Sequence, residues 1–199
     1  MTSPDASWQA LSAPWRACFE LAWQSAREGG IGVGAVLADG HSVLGRGRNR
    51  RFGDEPTTLL AHAEMQALEA MDRGRDRSRE LTVYTTLSPC PMCVGACVIA
   101  RIHAVRYAAL DPCWSGIEDM GTLNPEVSSR MPELVGPLSS PLEAWAALLA
   151  CLHTDGALRA ALTAAGTLSD ETIRHARTLL KNPPDDALEA LTNTWALLT

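Results

Sequence analysis

The pattern of apolar and polar positions predicts a helix followed by a hairpin in the first quarter of the chain. Apolar residues recur at helical spacing over 12–28, where Ser12 can cap the helix and two glycines can end it. Two apolar runs, 33–38 and 42–47, flank Asp39-Gly40, which is a strong short-range signal for a hairpin. A strand pair packed on a helix is therefore expected near the N-terminus.

Strand and helix patterns then alternate as far as the middle of the chain. Strands are predicted at 81–85, 103–108 and 133–138, and helices at 61–71, 91–101 and 142–152. The loop 73–79 alternates basic and acidic residues, which is typical of a solvated turn. A hairpin followed by βαβ units implies an α/β fold with a central mixed sheet of about five strands between two helical layers.

Composition favours one main domain with a helical appendage. The chain has 199 residues, of which 46% are hydrophobic, so it can bury a sizeable core. We expect a domain over 1–153 and an alanine- and leucine-rich helical extension over 154–199, with breaks at Gly166 and Pro183-Pro184. The extension could be a lid over a site, a dimer contact or a cover for an apolar face.

Charge and hydropathy argue against nucleic acid and membrane partners. The formal net charge is −6, and Lys181 is the sole lysine, so the basic footprint of a polyphosphate-binding protein is missing. The first residues have no basic or apolar stretch typical of a signal peptide, and the apolar segment 144–152 is too short to span a bilayer. The scattered cysteines do not resemble a secreted disulfide framework. We expect a cytoplasmic protein without a membrane segment.

The most informative feature is His62-Ala63-Glu64 together with Pro89-Cys90-Pro91-Met92-Cys93. One imidazole and two thiolates can hold zinc through three protein ligands, which leaves the fourth position open for water, as in catalytic sites. Pro91 suits the first turn of a helix, so Cys90 and Cys93 would face the same way near its start, where the helix dipole favours thiolates. The sequence therefore predicts zinc on His62, Cys90 and Cys93.

Glu64 is predicted to be the catalytic proton carrier and not a ligand. Zinc can lower the pKa of bound water from about 16 to about 7, and an adjacent carboxylate can take up and deliver the protons. The alternative is a structural zinc knot, for which Cys97, one turn beyond Cys93, is the candidate fourth ligand. A small buried thiol that packs under the site is the other interpretation of Cys97.

These motifs resemble the signature of the cytidine/deoxycytidylate deaminase-like superfamily, and in particular its branch of tRNA adenosine, guanine and cytosine deaminases. The resemblance covers roughly residues 12–153 and also includes Gly32–Val36 and Gly45–Arg50. It implies the cytidine deaminase-like α/β/α fold, a homodimer and a hydrolytic deamination by attack of zinc-bound hydroxide. It also implies substrate contacts by Asn49 and by the backbone N–H groups of Ala63 and Cys90. We add Ser88, Pro89, Asp111 and Trp114, which lie near the same motifs, as further candidates for substrate contacts.

Several of these positions keep a second interpretation. Asn49 can contact the substrate or simply shape a turn, and Trp114 can stack on a base or pack against its own domain. Ser88 stands where the branch usually has glutamate, and the Cys113-Trp114-Ser115 stretch is not typical. The resemblance therefore gives little guidance to the particular substrate.

Three functions follow for comparison. The leading hypothesis is a deaminase of a free nucleobase, nucleoside or related amino-heterocycle. The alternative is a tRNA-specific adenosine deaminase, and a third is a zinc-stabilised binding domain without catalysis. RNA-acting members of the family carry basic residues at the end of the helix after the last strand, whereas 147–153 contains no arginine or lysine, and 154–199 has four basic against six acidic residues. We therefore expect a small heterocyclic amine as substrate and consider nucleic acid an unlikely partner.

Overall fold

The computed structural model describes residues 3–53, 58–71 and 80–199. The predicted loop 73–79 lies outside the described residues. The strands are β1 (Gly34–Asp39), β2 (Ser42–Arg48), β3 (Leu81–Leu87), β4 (Ala104–Ala109) and β5 (Glu133–Val135). The helices are α1 (Pro4–Ala10), α2 (Ala13–Arg27), α3 (Ala63–Glu69), α4 (Pro91–Ala100), α5 (Pro125–Ser128), α6 (Leu142–Cys151), α7 (Ala157–Ala164), α8 (Asp170–Leu179) and α9 (Ala187–Thr194).

The five strands form one mixed sheet in the order β2-β1-β3-β4-β5. β1 runs antiparallel to both β2 and β3, while β3, β4 and β5 are parallel to one another. At the hairpin, Asp39 pairs with Ser42, and Gly40 takes a φ of 55° that glycine adopts without strain. The predicted hairpin and the predicted mixed sheet of five strands are both confirmed.

Helices cover both faces of this sheet. Val36 packs with Ala17 and Cys18 of α2 on one face, whereas its neighbour Leu37 packs with Cys97 of α4 on the other. Successive residues of a strand point to opposite faces, so burial of both neighbours requires a helical layer on each side. The fold is therefore the predicted three-layer α/β/α arrangement.

Glycines let the helices lie unusually close to the sheet. A methyl group added to Gly47 of β2 would overlap the carbonyl oxygen of Ala63 in α3, and one added to Gly34 of β1 would overlap that of Cys18 in α2. The glycine at 47 thereby sets the distance between β2 and the helix that begins beside His62. Close backbone approach is the physical reason for glycine at both positions.

Several local details differ from the sequence-based expectation. Ser12 is the N-cap residue of α2, but its hydroxyl makes no capping hydrogen bond. The unpredicted α1 is capped by Ser3, whose Oγ accepts from the Ala6 N–H at 3.1 Å, and it buries Trp8 against Phe19 and Trp145. Between β4 and β5 lie two 3₁₀ turns, Pro112–Trp114 and Ile117–Thr122, and the short α5, none of which has an apolar period long enough to predict.

The helices of 154–199 belong to the same apolar cluster as α2 and α6. Leu162 of α7, Ile173 of α8 and Leu191 of α9 are fully buried in it, together with Phe19 and Trp145. The division into 1–153 and 154–199 stays a prediction. Across the described ranges, no helix combines the length and the apolar character that crossing a bilayer requires.

Candidate metal centre and substrate cavity

The predicted metal-binding residues meet at the edge where the parallel strands end. The segment after β3 carries Ser88 and Cys90, and the segment after β4 carries Asp111. His62 is the N-cap of α3 and Cys90 is the N-cap of α4, both with extended backbone, so both helices begin at this edge. The carboxyl edge of parallel strands is the common location of ligand sites in α/β folds.

His62, Cys90 and Cys93 form a group that fits a tetrahedral zinc ion. His62 Nδ1 lies 3.7 Å from the Cys90 sulfur and 3.6 Å from that of Cys93, and the two sulfurs are 3.6 Å apart. Zinc–sulfur and zinc–nitrogen bonds of ordinary length at tetrahedral angles would separate two sulfurs by about 3.8 Å and a sulfur from a nitrogen by about 3.6 Å. The donor types and their spacing therefore both suit zinc, as predicted from the motifs.

The hydrogen bond between the two thiols shifts their pKa values in opposite directions. A hydrogen bond from Cys93 lowers the pKa of Cys90 to about 4, against the effect of partial burial, and His62 adds to this stabilisation of the thiolate. The same hydrogen bond, together with burial, raises the pKa of Cys93. The hydrogen bond to Cys90 raises the pKa of His62. Zinc held by both sulfurs would require both thiols to be deprotonated, because a ligating thiol binds as the thiolate.

Glu64 lies in the first turn of α3, beside this group, and is only 4% exposed. Its Oε2 is 3.5 Å from the Cys93 sulfur, and its Oε1 is 3.3 Å from the Thr85 hydroxyl of β3. Burial raises the pKa of the Glu64 carboxyl, and the nearby Cys90 charge adds to this effect. A carboxyl group with a raised pKa beside a metal centre is suited to general acid–base work.

Cys97 does not belong to the metal-binding group. Among the described residues, the ligand atoms that lie within 4.8 Å of one another are those of His62, Cys90 and Cys93. Cys97 is buried with Leu37 and Val83, and burial raises the pKa of its thiol to about 12. The interpretation of Cys97 as a packing residue therefore fits the structure, and a tetrahedral zinc ion held by His62, Cys90 and Cys93 would have one position open to water.

A cavity of about 350 Å³ opens over His62, Glu64 and Cys90. Its walls combine aliphatic and aromatic side chains with a few polar groups, which is the usual composition of a small-molecule site. The other lining residues within the described part of the chain are Ile31, Val33, Asn49, Arg51, Phe52, Leu87, Ser88, Asp111, Cys113, Trp114, Ala157 and Leu158.

Asn49, Ser88 and Asp111 are brought together at this cavity. Asn49 is buried, and its Oδ1 accepts from the Arg51 N–H at 3.1 Å, so it shapes the turn and also lines the cavity. The Ser88 hydroxyl accepts from the Asp111 N–H at 2.8 Å, which joins the segments after β3 and β4. Burial raises the pKa of Asp111, although its Oδ1 also accepts from the Cys113 N–H at 2.9 Å. Their substrate contacts stay a prediction.

The remaining predicted contacts differ in position. Trp114 lines the cavity and is 44% exposed, so it is not packed into the interior of its own domain. Pro89 lines a neighbouring hollow with Ser88 and Trp114 but does not line the metal cavity. Ala63 is fully buried beneath β2, and its side chain also does not line the cavity. Contacts by the Ala63 and Cys90 backbone N–H groups stay a prediction.

Sequence reasoning missed several cavity residues. The Arg51 cation opposes the rise that the Cys90 hydrogen bond causes in the pKa of His62. The Arg51 Nε is buried and has no hydrogen-bond partner among the described residues, and its guanidinium lies over the Phe52 ring, 5.2 Å from the ring centroid. Its position two residues after Asn49 is the only signal that could have suggested it. Ala157 and Leu158 of α7 also line the cavity, and no motif indicates them.

Fold and site together define the class: a three-layer α/β/α domain with an open His-Cys-Cys metal centre and an adjacent acid, which is the arrangement of zinc-dependent deaminases. The chain belongs to the cytidine and deoxycytidylate deaminase zinc-binding family, whose model matches residues 10–109. The motifs around His62 and Cys90 both lie inside the matched region. The family resemblance expected from the sequence is thereby confirmed.

Named relatives of the chain act on different substrates. It is 37% identical over 87 residues to the tRNA-specific adenosine deaminase of Bacillus subtilis, a match that covers 43% of this chain and 53% of the relative. It is 39% identical over 82 residues to the cytosine deaminase of Candida albicans, covering 40% of this chain and 53% of the relative. The chain thus spans about half the length of these two relatives.

A solved structure of a tRNA:A34 deaminase shares the fold. It superposes with a TM-score of 0.51 at 28% identity, and the match covers 61% of this chain and 94% of the other. The part of our chain beyond this match is substantial, and the family model also ends before α6 begins.

Proposed function

We propose that this protein is a zinc-dependent hydrolytic deaminase of a free nucleobase, a nucleoside or a related amino-heterocycle. The observation that carries the proposal is the position of Glu64, buried 3.5 Å from the metal-binding Cys93 and lining the cavity that opens over His62. A structural zinc knot requires no carboxylate at this position. An acid at the floor of a heterocycle-sized cavity has a clear role in moving protons.

The reaction converts an amino-heterocycle and water into a carbonyl heterocycle and ammonia. Bound zinc supplies Lewis acidity that makes water a nucleophile near neutral pH. Glu64 takes a proton from the attacking water and passes it to the ring nitrogen next to the amine-bearing carbon. The water oxygen forms a new bond to the amine-bearing carbon. Glu64 then passes the second proton, from the resulting hydroxyl group, to the amine, and the carbon–nitrogen bond breaks to release ammonia. The raised pKa of Glu64 suits a group that must both accept and deliver protons.

The cavity supports a small substrate. Its volume of about 350 Å³ and its apolar walls, which include Val33, Leu87 and Trp114, suit a planar heterocycle. Among its described lining residues, Arg51 is the one arginine or lysine, and it lies there with His62, two carboxyl groups and the Cys90 thiol. A polynucleotide requires several cationic phosphate contacts, and this chain has a net charge of −6.

A tRNA-specific adenosine deaminase is the second candidate. The 37% identity to the Bacillus subtilis tRNA-specific adenosine deaminase and the shared fold with a tRNA:A34 deaminase both favour it. The exposed Trp114 at the cavity also offers a surface on which a base could stack. The two candidates use the same chemistry at the metal centre and differ in what is attached to the base.

An ammonia-release assay distinguishes the candidates. The zinc-loaded protein is incubated with cytosine, guanine, adenine, their nucleosides and an anticodon stem-loop RNA. We expect release from at least one base or nucleoside and none from the RNA. Release from the stem-loop alone would establish the second candidate. Absence of release from every substrate would contradict both and favour a non-catalytic zinc-stabilised domain. The expected homodimer and cytoplasmic location stay predictions, and light scattering on the purified protein measures the former.

A further inference from the structure

The helical extension contributes directly to the wall of the metal cavity. Ala157 and Leu158, the first two residues of α7, line the same cavity as His62 and Glu64. They follow the last zinc-binding motif residue, Cys93, by more than sixty positions. The 3₁₀ turn Pro112–Trp114, which carries two further cavity residues, packs directly against α7.

A buried anchor holds α7 in this position. Leu162, one turn beyond Leu158, is fully buried in the apolar cluster that contains Trp145 of α6 and Phe19 of α2. Leu158 itself is partly buried against the same cluster, so its side chain joins the protein core to the cavity wall. Moving α7 away would expose Leu162, and more of Leu158, to water, which is unfavourable for apolar side chains.

A charged network fixes the start of α7 as well. Arg177 of α8 donates from Nε to the Leu152 carbonyl at 2.6 Å, from Nη2 to the Thr154 carbonyl at 3.1 Å and from Nη1 to Asp155 at 3.0 Å. Arg159 of α7 also donates to Asp155, and its Nε and Nη2 donate to Asp170 of α8 at 3.0 and 2.9 Å. Salt bridges of this kind link the turn before α7 to α8, so α7 is held on two sides.

We propose that α7 is a fixed wall of the substrate cavity and that Ala157 and Leu158 set the upper size of the heterocycle that enters it. This inference rests on the proposed function and narrows its substrate to a compact base or nucleoside that is not part of a polynucleotide. Ala157 is exposed at the rim and offers only a methyl group, whereas Leu158 fills part of the wall. A larger residue at 157 would narrow the cavity, and a smaller one at 158 would widen it.

Binding measurements test this wall without depending on turnover. Calorimetry is performed on the zinc-loaded Glu64→Gln protein with cytosine, guanine, adenine and their nucleosides. The readout is the ratio of nucleoside to base affinity. Ala157→Leu should lower that ratio at least tenfold, and Leu158→Ala should raise it. Ala160→Leu is the matched control, because Ala160 is exposed on the same helix and does not line the cavity.

The outcomes separate the two proposals. If the ratio of nucleoside to base affinity were unchanged in both cavity variants, or changed equally in Ala160→Leu, the proposal that α7 limits substrate size would be overturned. Failure of all six compounds to bind, or binding of an anticodon stem-loop RNA as tight as that of the nucleosides, would overturn it as well. A different result, the absence of ammonia release by the wild-type protein, would contradict the proposed function. The binding ratios could still show in that case that the cavity binds heterocycles and that α7 limits their size.

Discussion

The Oε2 atom of Glu64 lies 3.5 Å from the sulfur of Cys93. The other carboxylate oxygen is 3.3 Å from the Thr85 hydroxyl, which is also 3.1 Å from the Leu87 carbonyl. That hydroxyl carries one proton, so it donates to only one of these oxygens at a time. The carboxylate is thereby held between a metal ligand and a strand, with one face toward the cavity.

Replacement of Glu64 by glutamine should remove proton transfer and leave the metal site intact. General acid–base groups contribute about 10²–10⁴ in rate, so we expect kcat to fall at least 100-fold in the ammonia-release assay. Zinc content, measured by atomic absorption, should equal that of the wild type. Glu69→Gln is the matched control on the exposed end of the same helix and should retain wild-type kcat. A variant at 64 with near-normal kcat would refute the assigned role.

Serine in place of Cys90 or Cys93 should abolish stoichiometric zinc binding, because each would supply one of the three proposed ligands. Cys97→Ser should instead keep one zinc per chain, since Cys97 lies outside the group. The Cys97→Ser substitution should lower the Tm of the protein, because it replaces a buried thiol by a hydroxyl group. Zinc loss in the Cys97 variant at a temperature where it is folded would restore the structural-knot interpretation.

Alanine at Gly47 should destabilise the protein by at least about 2 kcal/mol in urea unfolding, because the added methyl group would overlap the Ala63 carbonyl and push α3 from the sheet. Gly95→Ala provides the comparison, because that helical glycine has open space around it. The second change should stabilise the protein by about 0.5–1 kcal/mol. Equal effects of both substitutions would show that close packing of α3 on β2 is unimportant.

The Asp155 carboxyl should make the stability of the protein depend on pH in the acidic range. Its hydrogen bonds from Arg177 and Arg159 lower the pKa of the carboxyl. A carboxyl whose pKa is depressed on folding adds stability above its unfolded pKa of about 3.9, and this contribution disappears as pH falls through the folded pKa. Asp155→Asn should therefore lower Tm at pH 7, and the difference from wild type should shrink under strongly acidic conditions.

Asp119→Asn is the control for this pH dependence, because Asp119 is exposed in a different region and takes no part in the network. Its Tm should follow that of the wild type throughout the titration. A Tm difference for Asp155→Asn that stayed constant from neutral to acidic pH would show that the effect does not come from the carboxylate charge.

The sequence by itself determined the chemistry of the metal site and the sheet that carries it. Cys90 and Cys93 are three residues apart at a helix start, so helical geometry alone brings them onto one side. His62 and Glu64 are only two residues apart at the start of α3, and it was their motif that indicated a shared site. The hairpin at Asp39 and the alternating strands and helices are local signals of the same kind. Errors arose where local signals were weak, as with the unpredicted α1 and the absent Ser12 capping bond.

Only the tertiary structure decided what surrounds the metal. Leu158 lines the cavity because α7 packs on the turn that ends at Trp114, and because Leu162 anchors α7 in the protein core. These contacts join segments that are far apart in the chain. The amphipathic pattern of α7 indicates a buried face but cannot name the surface that receives it. Arg51 reaches the cavity for a similar reason, since its position depends on the turn shaped by Asn49 and on the hydrogen bond from the Arg50 N–H to the Ala61 carbonyl.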